Sequence, residues 1–155
     1  MQGRCTCGRI RYRLTDRPLF THCCHCTWCQ RETGSAFVLN ALIEASKVAL
    51  LAGTPLRVDT PSASGLGQQI DRCPDCHVAL WSIYPGAGPR FRFVRIGTLD
   101  DAAALPPDIH IFTSTRLPWV RLPEGVPAVP EYYRRDDYWP AESLARRRAV
   151  LAEPD

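Results

Sequence analysis

The chain has 155 residues, a formal net charge of +3 and 45% hydrophobic side chains, which sets the expectation of a single core. No apolar run approaches the roughly 20 residues that span a bilayer, and so small a positive balance does not mark a nucleic-acid binder. Met1-Gln2-Gly3-Arg4-Cys5 leads straight into alternating residues without a charged and then apolar leader, so the expectation is a soluble, cytoplasmic protein.

Eight cysteines in a reducing compartment point to metal rather than to disulfides, because clustered thiols there are kept reduced and free to ligate. If four thiolates hold one zinc ion and three hold another, the positive balance of the chain is cancelled.

Gly8 to Thr15 alternates apolar and polar residues as a half-buried strand does, with Ile10, Tyr12 and Leu14 facing inward. Asp16-Arg17-Pro18 interrupts the pattern, and the stretch from His22 to Cys29 reads as a metal-organised loop closed by the turn Thr33-Gly34-Ser35. Ala36 to Ile43 is a short apolar run of buried-strand type, followed by short strands at Val48 to Leu51 and Leu56 to Val58. Pro61 to Gly67, rich in Ser and Gly, is expected to be an exposed, mobile turn leading to a strand that carries Ile70. Val78 to Tyr84, Phe91 to Ile96 and Ile109 to Phe112 read as further strands, with a turn at Gly97 to Asp101. So many short, evenly spaced strands predict a mainly β domain. Beyond Pro123 the chain is stiffened by Pro127 and Pro130, and Pro140 to Leu151 reads as one helix. Its Arg146-Arg147-Arg148 triple reads as a solvated face rather than a nucleic-acid contact.

Cys5 and Cys7, with Cys73 and Cys76, form two tightly spaced pairs far apart in the chain. Together they supply one tetrahedral four-thiolate site, which suits Zn²⁺ and, being closed, serves folding. A further cluster, Cys23-Cys24-His25-Cys26-Thr27-Trp28-Cys29, contains two candidate trios, Cys24/Cys26/Cys29 and Cys23/Cys26/Cys29, between which spacing does not choose. Three protein ligands plus an exchangeable position is the arrangement of catalytic zinc.

Gly3-Arg4-Cys5-Thr6-Cys7-Gly8-Arg9-Ile10-Arg11-Tyr12 resembles the opening block of the glutathione-dependent formaldehyde-activating family, which includes centromere protein V. Cys24-His25-Cys26-Thr27-Trp28-Cys29 is similar to its CHCxxC block, Thr33 to Phe37 to the TGSAF stretch after it, and Cys73-Pro74-Asp75-Cys76 to its CPxC block. Gly97 to Asp101, His110-Ile111-Phe112 and Trp119 resemble its later signatures, so the series runs over residues 3 to 125.

The resemblance implies coiled, β-tent-like sheets pinned by a four-cysteine zinc site of Cys5, Cys7, Cys73 and Cys76, with a short C-terminal helix. It makes Cys24, Cys26 and Cys29 the ligands of a second, catalytic zinc and leaves Cys23 as a core thiol. It implies carbon-sulfur lyase chemistry in which the glutathione thiol adds to formaldehyde, giving S-(hydroxymethyl)glutathione. Residues 1–125 then form the zinc-binding domain, and 126–155 an extension packed on it. Gly34 and Ser35 are expected to offer backbone N–H groups near the site, and Arg31 a partner for a glutathione carboxylate. Two departures flank the structural pair: Arg72 replaces an aromatic residue and His77 replaces a glycine able to take positive φ.

Two rivals compete with this reading. One is a non-enzymatic, zinc-stapled binding module with its fourth ligand position filled. The other is a methionine sulfoxide reductase-like redox protein using Cys23, disfavoured because the first cysteine pair is CxC. His110 and Trp119 are expected to be hydrogen-bonded packing residues, and His25 to point away from a metal held by its neighbours.

Overall fold

The computed structural model describes residues 1–154. Within them, ten strands and two α-helices follow in chain order: β1 (Gln2–Arg4), β2 (Arg11–Leu14), β3 (Phe20–Cys24), α1 (Thr27–Thr33), β4 (Val38–Glu44), β5 (Val48–Ala52), β6 (Leu56–Thr60), β7 (Gln68–Arg72), β8 (Ala79–Ile83), β9 (Phe91–Arg95), β10 (Ile109–Ile111) and α2 (Ala141–Ala152). They form a three-stranded sheet in the order β1-β2-β5 and a seven-stranded sheet in the order β10-β3-β4-β9-β8-β7-β6. The protein is mainly β, with a short C-terminal helix and clustered cysteines able to hold metal.

The alternation of β2 puts Tyr12 and Leu14 inward, and Ile10 just before it is also fully buried. Tyr12 stands edge-on to Trp81 at 5.4 Å and shares a 2.6 Å hydrogen bond with the Thr98 hydroxyl. It runs so close to β1 that a Cβ on Gly3 would lie 2.5 Å from its ring, so only glycine fits there. Around this pair lies one core, with Ile43, Leu80, Val94 and Ile96. A second core gathers Phe20, Leu42, Phe91, Ile109 and Trp139. Strand β4 passes between the two, giving Ala41 and Ile43 to the first and Val38 and Leu42 to the second, which is why it is buried nearly throughout rather than alternately.

The segment from His22 to Cys29 is not a loop. Its first half completes β3, and its second half opens α1, with Cys26 as N-cap accepting the Cys29 N–H at 3.3 Å. A cysteine run carries no hydrophobic period, so neither element shows in the sequence. Nor is Trp119 a packing residue: it is 70% exposed. The turn between β6 and β7 is tied down by Ser62, whose buried hydroxyl donates to the Gly67 carbonyl.

Strand β10 pairs parallel to β3. Its other edge is covered by the chain after Pro127: the Pro127 carbonyl accepts the His110 N–H, the His110 carbonyl accepts from Val129, and the Glu131 carbonyl accepts from Phe112. Arg146 of α2 is not merely solvated, because it forms a two-pronged pair with the buried Glu44 at 2.8 and 3.0 Å and donates to the Arg17 carbonyl.

The buried Asp71 joins β6, β7 and β8. Arg57 grips both its oxygens at 2.7 and 2.9 Å, and Trp81 Nε1–H donates at 2.6 Å. Burial opposes ionisation, but these donors outweigh it and hold the carboxyl below its ordinary range. A depressed native pKa stabilises the fold above the unfolded carboxylate pKa of about 3.9 and is lost as pH falls through the native value. Asp71→Asn is therefore expected to cost about 2 kcal/mol at pH 7, with the deficit shrinking as pH falls below the unfolded carboxylate value of about 3.9; urea unfolding of both proteins across pH checks it.

Candidate metal centres and active-site cavity

Cys5 and Cys7 lie on the turn between β1 and β2, and Cys73 and Cys76 on the turn after β7. All four sulfurs fall within 4.8 Å of one another, with Cys5 to Cys7 at 3.5 Å and Cys7 to Cys73 at 3.6 Å. A tetrahedron with metal–sulfur bonds of about 2.3 Å has edges of about 3.8 Å, so the donor set and its spacing fit Zn²⁺. Backbone donors prepare it. Ile10 N–H reaches Cys5 Sγ at 3.3 Å and holds that thiol below its ordinary pKa against the cost of burial. The N–H groups of Cys7 and Val78 bring Cys76 down to about 6. His77 adopts φ 58°, the left-handed conformation a glycine takes freely, so the turn keeps its shape and the strain falls on His77. Arg72 turns instead to Glu32 at 2.6 Å, tying β7 to α1.

The second trio forms where β3 hands over to α1. Cys24 ends the strand, Cys26 caps the helix and Cys29 lies in its first turn, so C-x-C-x-x-C folds three sulfurs together. Cys29 and Cys24 stand 3.5 Å apart. Among the described residues no fourth His, Cys, Asp or Glu joins them within 4.8 Å. In the metal-free protein one thiolate collects the hydrogen bonds of the others. Cys26, hydrogen-bonded by Cys24 and Cys29 and by backbone N–H groups of the helix start, drops to about 3. Its charge, transmitted through the same bonds, pushes Cys24 upward. Cys29, favoured by Cys24 but opposed by Cys26 and by burial, rises to about 12. A thiolate at a helix N-terminus is the form a metal takes up.

Cys23 points to the opposite side of β3. Its sulfur lies 3.5 Å from His25 Nε2, which in turn lies 3.0 Å from His110 Nδ1, all fully or almost fully buried. Geometry thus separates the trios that spacing left open, putting Cys24 with Cys26 and Cys29. Metal-bound imidazoles normally hand their other N–H to an acceptor. His25 Nδ1 and His110 Nε2 have none, so the Cys23/His25/His110 group is a strut joining β10 to the end of β3.

A cavity of about 320 Å³ opens over Cys24, Cys26 and Cys29, walled by His22, Phe93, Tyr84, Ile111 and Phe112 and rimmed by Trp28 and Leu66. A larger, shallower groove of about 1010 Å³ adjoins it and shares Trp28, Leu66 and Tyr84, but contains none of the cysteines. His22 is the residue a sequence reading missed, although it stands two positions before Cys24 on the same strand face. Its Nε2 lies 2.6 Å from the Tyr133 hydroxyl, which accepts Trp139 Nε1–H at 2.8 Å. Indole only donates, so the tyrosine proton goes to His22 Nε2 and the imidazole proton to Nδ1, where no protein group accepts it. Burial, helped by the charge of Arg135, lowers His22 to about 4 and keeps it neutral. Arg31, Gly34 and Ser35 do not line the cavity; Tyr132 and Arg135 do.

The two sheets, the tetrathiol cluster and the open trio under a small cavity define a mainly β protein with two cysteine clusters able to hold metal. A family model described as glutathione-dependent formaldehyde-activating enzyme matches residues 1–115, and the chain belongs to this family. A solved structure of a Rhodobacter sphaeroides protein, a structural genomics target, aligns with a TM-score of 0.49 at 17% identity, covering 64% of this chain and 88% of that one.

In the metal-free protein, iodoacetamide at pH 5 is expected to label Cys26 before Cys24 and Cys29, because Cys26 alone of its trio is a thiolate there; peptide mass mapping reads the order. Cys73→Ser is expected to remove metal from the tetrathiol site and destabilise the whole fold, losing near-UV ellipticity along with metal content.

Proposed function

We propose that the protein is a zinc-dependent carbon-sulfur lyase-type enzyme that joins glutathione to formaldehyde as S-(hydroxymethyl)glutathione. The observation that supports this most is the open trio, with three converging sulfurs, no fourth protein donor among the described residues, and a cavity above them. In this reading Cys5, Cys7, Cys73 and Cys76 hold a structural zinc, and Cys24, Cys26 and Cys29 a catalytic one. A zinc there supplies an exchangeable position for a thiol sulfur and lowers that thiol's pKa. Residues 1–125 carry both sites, and residues 126–154 pack on the same domain as an extension.

The chain's own groups account for the rest. Three thiolate ligands make a poor Lewis acid for water but a good seat for sulfur. The apolar walls of Phe93, Ile111 and Phe112 exclude the water that would otherwise hydrate the aldehyde. The sulfur lone pair forms a bond to the aldehyde carbon, the carbonyl π pair moves to oxygen, and that oxygen takes up the proton the thiol lost.

Wild-type protein is expected to contain two zinc ions per chain and to accelerate loss of free glutathione thiol on mixing with formaldehyde above the spontaneous rate. Cys26→Ser should retain one zinc and lose about 100-fold or more of the acceleration. A fully zinc-loaded wild type that adds nothing to the spontaneous rate would overturn the proposal.

A further inference from the structure

The family match ends at residue 115, yet the cavity over the cysteine trio is completed by two residues beyond it, Tyr132 and Arg135. No aspartate or glutamate lines this cavity, and Arg135 is the one lining side chain that carries a permanent charge. Among the described residues Arg135 forms no ion pair, and its Nε, closed off from solvent, has no hydrogen-bond acceptor. A guanidinium that lines a cavity without a carboxylate partner of its own is placed to pair with one that a ligand brings.

Arg135 is also held in place rather than waving from a tail. Its carbonyl accepts the Trp139 N–H at 2.8 Å, and Trp139, 5% exposed, stacks on Phe20 of β3 at 5.5 Å. Tyr133, two residues before Arg135, is bonded to both His22 and Trp139. The Tyr132 ring stacks on Tyr133 at 4.9 Å. The extension is therefore anchored to the same strand that carries Cys24.

We infer that Arg135 is a specificity residue which receives a carboxylate of the thiol substrate, so that the C-terminal extension selects acidic thiols over neutral ones. This rests on the reading of the cysteine trio as a thiol seat but not on formaldehyde as the electrophile. A planar guanidinium pairs with a carboxylate through two parallel N–H donors, a geometry lysine lacks. The substrate class is a small thiol whose carboxylate lies within the span of the cavity, as in glutathione. Arg135 positions and selects, and takes no part in the addition itself.

Calorimetric titration of the zinc-loaded full chain with glutathione, glutathione diethyl ester and 2-mercaptoethanol tests this. Wild type is expected to bind glutathione at least about tenfold more tightly than the diester. Arg135→Gln should erase that preference while leaving diester binding and zinc content unchanged, and Arg135→Lys should restore part of it. Equal affinity of wild type for glutathione and its diester, or a preference that survives in Arg135→Gln, overturns the inference, as does failure of zinc-loaded wild type to bind any thiol. The wild-type comparison needs no variant, so it decides even if Arg135→Gln does not fold. A carboxylate preference lost in Arg135→Gln, in a protein that does not accelerate formaldehyde addition, upholds the role of Arg135 and removes only the lyase reading.

Discussion

The strict alternation of side chains along β3 is the constraint on which the rest depends. Successive residues of a strand face opposite sides, so His22 and Cys24 reach the cavity while Cys23 belongs with the buried His25 and His110. One strand thereby serves two environments, and it does so only because both of its faces are covered. β4 and β10 flank it in the sheet, and the chain after Pro127 closes the outer edge of β10. A slip of one residue in register would exchange Cys24 for Cys23 and dismantle both groups at once.

The end of β3 also explains why Cys26 is the thiolate of its trio. Cys26 occupies the N-cap of α1, where unpaired backbone N–H groups and the helix dipole favour negative charge. A polar cap residue such as serine would satisfy the same N–H groups without offering a soft, charged ligand. In the tetrathiol cluster the sulfurs come from two turns 66 residues apart, each with its own backbone donors, and all four fall within 4.8 Å of one another. One arrangement ends in an opening, the other in a clamp between the N-terminal turn and the long sheet.

Much of this was legible beforehand for physical reasons. Ile10, Tyr12 and Leu14 are buried because period two is a direct image of a strand with one wet face. The helix near the C-terminus was announced by proline at its start, and the pairs Cys5/Cys7 and Cys73/Cys76 by ligand spacing. Illegible were the elements whose logic is not periodic: the cysteine run split between β3 and α1, the parallel pairing of β10, and the fate of Trp119, left 70% exposed. Arg31, close in sequence to the trio, turned out to be absent from the cavity, whereas Arg135, far along the chain from Cys29, lines it.

What the sequence alone determined is local chemistry: which residues are able to ligate metal, which segments alternate, and where proline and glycine stop them. These follow from short-range rules of spacing and backbone freedom that need no partner. Which sulfurs meet, which side chains wall the cavity and which charges find a partner was decided by tertiary structure. Glu44 and Arg146, 102 residues apart, form one ion pair; His22, Tyr133 and Trp139 form one hydrogen-bonded chain. Such contacts are set by sheet register and by the path of the final residues across β10, and both are fixed only when the two cores pack against each other.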